Sequence, residues 1–141
     1  MNNTLERIKY HFSESIQTKI NSADTLLETI VSAGEKIVQC LLDGNKILSC
    51  GSGSSACDAL LFCSKMLNYF KYERPSLPAI ALNSDIATLS SIVDDSHYSD
   101  IFAKQLRALG QPGDILLTIS THTHSSNILN AIKAAHDKKS L

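Results

Sequence analysis

Two stretches of the chain gather hydroxyl groups where a phosphate could be held. The first is Gly51-Ser52-Gly53-Ser54-Ser55, inside KILSCGSGSSACDALL (46–61); the second is Ser120-Thr121-His122-Thr123-His124-Ser125-Ser126-Asn127. Each follows a short apolar run and precedes a helical pattern. Unpaired amides at a helix start, the positive end of the helix dipole and several Ser/Thr hydroxyls can together accept a phosphate without lysine or arginine. Neither loop contains a basic lysine or arginine. The plainer alternative is that the serines cap helices, but a cap takes one such residue and not a run of them.

Other chemistries fit less well. No Gly-Lys-Ser/Thr occurs, so a P-loop is excluded. Gly51-x-Gly53-x-x-Ala56 satisfies a dinucleotide fingerprint, yet the acid expected about 20 residues on would fall at Phe70 and Lys71, ahead of the second strand. A nucleophile elbow G-x-S-x-G is missing from the sequence. His122 and His124 lie one residue apart and would need further ligands to hold a metal, so they are read as solvent-facing loop histidines. Asp94-Asp95 has no second acidic cluster to complete a cation site, and Asp94 is assigned a cap or turn role. Cys40, Cys50, Cys57 and Cys63 form no CxxC pair and are read as buried, reduced thiols in preference to a disulfide or a metal site.

The elements that must position the two loops follow from periodicity. Leu5, Ile8, Phe12, Ile16 and Ile20 recur at helical spacing, and Leu26, Leu27, Ile30, Val31, Ile37, Val38, Leu41 and Leu42 continue the stripe. A break is expected at Asn21-Ser22, with Ser22 capping a second helix, and Asp43-Gly44-Asn45 ends the helical part. KILSC (46–50), PAIAL (78–82) and DILLTI (114–119) read as buried parallel strands, with helices at about 54–70, 85–93, 98–109 and 125–137. The order ααβαβααβα is that of an α/β domain. In an open parallel sheet, ligands collect at the carboxyl ends of the strands where strand order reverses, and both loops leave strands there.

Composition sets the class. With 43% hydrophobic and 19% charged residues and a formal charge of -1 over 141 residues, the chain has one domain's length and no electrostatic pull toward nucleic acid. MNNTLERIKYHF lacks the apolar core of a signal peptide and no stretch is long enough for a membrane span, so a cytoplasmic protein with no membrane partner is expected.

The strand–GSGSS–helix unit, RPSLPAIAL (74–82), the Asp94-Asp95 turn, GDILLTIST (113–121) and SSNILNAIKAA (125–135) resemble the sugar isomerase (SIS) domain family, in its phosphoheptose isomerase branch. Within that branch FSESIQTKI (12–20) and ERPSLPAIALNSD (73–85) resemble the members that associate with the replication initiator DnaA. The resemblance covers essentially the whole chain. It implies a flavodoxin-like parallel sheet with helices on both faces, in a single domain of residues 1–141. In that domain, residues 1–43 are helices that assemble a homotetramer, and residues 44–141 bind a sugar phosphate. The site it implies comprises Ser52, Gly53, Ser54, Ser55, Asp95, Ser120, Thr121 and Ser125.

The departures from the branch bear on function. Where its isomerases carry a histidine and, four residues on, a glutamate, this chain has Leu61 and Lys65. Isomerisation between ketose and aldose moves a proton between adjacent carbons and needs a positioned base. Leucine cannot serve, and Lys65 reads as a solvated helix lysine. In the second loop, the family's Gly-Asn is Thr123-His124. The resemblance also calls for further strands beyond Leu141, so the sequence reads as truncated. The resulting expectation is a sugar-phosphate-binding protein, non-catalytic and regulating DnaA. The alternative is a sedoheptulose 7-phosphate isomerase of lipopolysaccharide heptose synthesis; zinc enters only with that alternative.

Overall fold

The computed structural model describes residues 2–138. Its elements are α1 (Asn2–Leu42), β1 (Ile47–Gly51), α2 (Ser54–Leu67), β2 (Ala79–Ala81), α3 (Ile86–Asp95), α4 (Ile101–Leu109), β3 (Ile115–Ile119) and α5 (Ser126–Asp137), with a 3-10 turn at Tyr98–Asp100 leading into α4. The α/β class holds, and the three strands fall where the apolar runs place them.

The strand order is β2-β1-β3, all parallel, with Ile47 opposite both Ala79 and Ile115. Alternation along β1 sends its side chains to opposite faces. Leu48 and Cys50 join Phe102, Leu106, Ile128 and Ala131 in one core cluster, so α4 and α5 cover that face. Ile47 joins Cys63, Ala79 and Ala81, with Ile37 and Leu41 packed against them, so α2 and the end of α1 cover the other. Helices therefore lie on both faces, as the apolar strands require.

Lys46 and Asp114 join the entrances of β1 and β3. The buried Asp114 carboxylate accepts hydrogen bonds from the Lys46 amide at 3.0 Å, the Lys46 ammonium at 2.5 Å and the Gln111 amide at 2.8 Å. Burial would push this carboxyl up, but the Lys46 and Gln111 donors outweigh it and hold it below the usual carboxylate range.

The chain divides into two compact units, one ending at Lys36 and the other beginning at Ile37. The second takes in the last turns of α1, because Ile37 and Leu41 pack with the sheet, and so the division falls ahead of the expected boundary after residue 43. Asp43-Gly44-Asn45 does end α1: the Gly44 and Asn45 amides donate to the carbonyls of Leu41 and Cys40.

In the first unit, α1 runs through Asn21-Ser22 without the expected break. Ser22 Oγ donates to the Thr18 carbonyl at 2.8 Å and Thr25 Oγ1 to the Asn21 carbonyl at 3.0 Å. A hydroxyl engaged with the preceding turn is compatible with a continuous helix and does not cap a new one. The stripe of Leu5, Ile8, Phe12, Ile16 and Ile20 is exposed, Phe12 at 68%.

Two further expectations need correction. Helix α2 stops at Leu67, short of residue 70, because the Arg74 guanidinium and the Leu77 amide take up its last carbonyls, with Arg74 donating to Lys65 and Met66. Cys40, Cys50 and Cys63 are buried free thiols, and burial pushes that of Cys50 up to about 12. Cys57 is exposed, since the inward face of α2 is Ser55, Ala59 and Cys63.

Candidate functional site

The order β2-β1-β3 places successive connections on opposite sides of β1, so the chain order reverses between β1 and β3. The loops leaving these two strands flank that point.

At the end of β1 the chain must turn sharply. A Cβ on Gly51 would lie 2.3 Å from the Ser55 carbonyl oxygen, so only glycine fits this approach. Gly53 follows at φ 60, and the Ser55 and Ala56 amides then donate to the carbonyls of Ser52 and Gly53 as α2 begins. The neighbouring strand steadies the turn through Asn83, just past β2. The Gly51 amide donates to Asn83 Oδ1 at 3.0 Å, and Asn83 Nδ2 donates to the Gly51 carbonyl at 2.9 Å.

At the end of β3 the loop holds itself through its hydroxyls. Ser120 Oγ donates to the His122 carbonyl at 2.8 Å and accepts from the His122 amide at 3.1 Å. Thr121 Oγ1 lies 2.9 Å from His122 Nδ1.

The two loops meet. Asn127, in the first turn of α5 and 2% exposed, donates from Nδ2 to Ser52 Oγ at 2.7 Å, while its Oδ1 accepts the Ile128 amide at 2.9 Å. Neither Asn83 nor Asn127 is among the expected site residues, although each fixes the first loop.

The helix starts at the two loops differ from that of α3. Asp85 caps α3, accepting from the Thr88 hydroxyl and amide, which hold its carboxyl below the usual range. Gly53 and Ser125 occupy the cap positions of α2 and α5, and neither makes a side-chain cap bond. The serine runs are therefore not accounted for by capping.

The expected site residues separate by exposure. Ser54, Ser120 and Thr121 are exposed, Ser52 and Ser125 are half-buried, and Ser55 is 2% exposed on the sheet-facing side of α2. A cavity of about 410 Å³ opens beside Gly51 and Gly53, walled by Asn83, Ile86, Val93, Asp94 and Tyr98 among others. Asp94, which was assigned a cap or turn, borders it. Asp95, expected in the site, is the exposed last residue of α3 and is not on its wall.

On α2, Leu61 and Lys65 are both exposed. A leucine and a lysine are not a zinc donor set. Among the described residues, no three His, Cys, Asp or Glu side chains gather where they could hold a metal ion. No described helix is long and apolar enough to cross a membrane.

The SIS domain model matches residues 11–140, and the chain belongs to the SIS domain family. It is 57% identical over 131 residues to a phosphoheptose isomerase of Shewanella sp. (strain ANA-3), a match covering 93% of this chain and 66% of that protein's length. The phosphoheptose isomerase of Coxiella burnetii (strain Dugway 5J108-111) is 54% identical over 134 residues, covering 95% of this chain and 67% of that one. Among solved structures, a phosphoheptose isomerase from Francisella tularensis superposes with a TM-score of 0.93 at 47% identity, covering 97% of this chain and 72% of that one.

Proposed function

We propose that the protein is a phosphosugar-binding member of the phosphoheptose isomerase group, taking up a seven-carbon ketose phosphate such as sedoheptulose 7-phosphate and interconverting it with the aldose. The observation that carries the reading is the Ser52–Asn127 hydrogen bond. It holds the loops after β1 and β3 together across the reversal of strand order, each beside a helix start without a side-chain cap. The phosphate lies there, held by the hydroxyls of Ser52, Ser54 and Ser125, by those of Ser120 and Thr121 once each gives up its hydrogen bond to His122, and by free amides, including that of Gly53. Ser55, buried on the sheet-facing side of the first turn of α2, supports the first loop, and the sugar extends toward the cavity that Asp94 borders, with Asp95 next to Asp94 but off the cavity wall. The names of the relatives supply the reaction class.

A second reading, binding without turnover, is favoured by Leu61 and Lys65, which offer neither a base of the usual kind nor metal ligands. Regulation of DnaA, suggested by segments 12–20 and 73–85, belongs to this reading; the relatives bear isomerase names instead. One assay separates the two: incubate the protein with sedoheptulose 7-phosphate, with and without zinc, and look for the aldose product while calorimetry measures binding. Turnover is expected under the first reading. Binding without product would establish the second, and no binding would remove both.

Self-association is part of the proposal. An exposed apolar stripe as long as that from Leu5 to Ile20 is covered by another surface in a soluble protein, and further copies of the same helix give a homotetramer. Phe12→Asp with Ile16→Asp is expected to yield monomers in sedimentation velocity. A variant that stays tetrameric would place the interface elsewhere.

A further inference from the structure

The loop after β3 has no lysine or arginine, yet it carries two histidines, and the ring of one is bonded to a hydroxyl assigned to the phosphate. We infer that His122 is a proton-dependent switch for anion binding at this loop, a property that rests on the phosphate site proposed above. The juxtaposition is Thr121 Oγ1 at 2.9 Å from His122 Nδ1, with the backbone of His122 clasped at its amide and its carbonyl by Ser120 Oγ.

The direction of the Thr121–His122 hydrogen bond depends on where the ring carries hydrogen, and the switch operates on the neutral tautomer that has hydrogen on Nε2 and none on Nδ1. When Nδ1 is bare, the Thr121 O–H must donate to it, and that hydroxyl cannot donate to a phosphate oxygen. When the ring takes up a proton, both of its nitrogens carry hydrogen. Nδ1–H then donates to Thr121 Oγ1, and the Thr121 O–H is released to donate to the anion. One proton thus adds a positive charge to a loop that has none of its own and frees a donor at the same place. Histidine is the side chain that ordinarily gains or loses charge within the pH range cells visit.

The hydrogen-bond partners of His122 are Ser120 and Thr121, both uncharged. His124, two residues on, is the next titratable side chain along the loop, and it is exposed. The ion pair Lys46–Asp114 joins the entrances of β1 and β3, at the opposite end of β3 from this loop.

Sulfate is the probe, because it stays a dianion across the range in which a sugar phosphate changes its own charge. Calorimetric titration of the protein with sulfate is expected to give affinity about tenfold higher at pH 5.5 than at pH 7.5, as a charge-assisted contact would. His122→Ser replaces the ring with a small uncharged side chain. It should lose the pH dependence and bind sulfate at pH 7.5 more tightly than the unaltered protein, because no ring nitrogen then claims the Thr121 hydroxyl, whereas His124→Asn should retain the pH dependence. Binding at both pH values without pH dependence in the unaltered protein would overturn the switch and leave the site standing. A pH dependence that survives in His122→Ser would also overturn it. If neither sulfate nor the sugar phosphate binds at either pH, the site fails and the switch with it.

Discussion

Replacing Ser54 and Ser125 together with alanine is expected to abolish measurable affinity for sedoheptulose 7-phosphate while leaving the thermal melt nearly unchanged. Hydrogen bonds to a charged acceptor contribute about 1.5–3 kcal/mol each, so losing two weakens binding by about a hundredfold or more. The folding side follows from the helix starts. Removing a serine that caps a helix costs about 0.5–2 kcal/mol, but neither α2 nor α5 has a side-chain cap bond to lose. The change in stability should therefore stay within about 0.5 kcal/mol, the range of an ordinary surface substitution. Calorimetric titration of the double variant, run beside its melt, decides the matter. Unchanged affinity in a folded variant would mean that these hydroxyls do not touch the ligand.

Asp114→Ala is expected to have the largest effect on stability, lowering it by about 3–5 kcal/mol and moving the urea midpoint accordingly. The substitution strips the acceptor from two backbone amides and one ammonium at the entrance to the central strand pair. The carboxyl of Asp114 is held below its ordinary range in the fold, so its contribution is fully present above the unfolded value of about 4 and is lost as pH falls through the folded one. The stability of the unaltered protein should accordingly drop on acidification below about pH 4, and that of Asp114→Ala should drop less over the same interval. Parallel curves would assign the acid sensitivity to other carboxylates.

Much of this architecture was legible because apolar runs and helical spacing are repeated signals. The strands at Ile47–Gly51 and Ile115–Ile119 were each announced by several consecutive residues and by the turn before them. The two serine loops could be placed at strand ends for the same reason. What escaped was decided by single contacts. Asn83 and Asn127 act through one amide group each, against backbone or hydroxyl partners far along the chain, and neither has a spacing that reveals it. Asn21-Ser22 looked like a helix break because serine and asparagine are common caps, but the same hydroxyl chemistry turned back onto the helix. Asp94 and Asp95 are adjacent, and which of them borders the cavity depends on where α3 stops turning, a detail that periodicity leaves open.

The reciprocal pair between Asn83 and Gly51 has a consequence for how tightly a ligand can be held. A side-chain amide stands in for a peptide group and extends the β1–β2 ladder by one rung after β2 itself has ended at Ala81. The two chains can then diverge, and the cavity opens between them, while the glycine turn stays tied to the sheet. The two hydrogen bonds constrain the turn without any ligand. An anion bound at the proposed site would then cost little ordering entropy at this loop, and its short-range contacts would translate into affinity with little deduction for reshaping the protein.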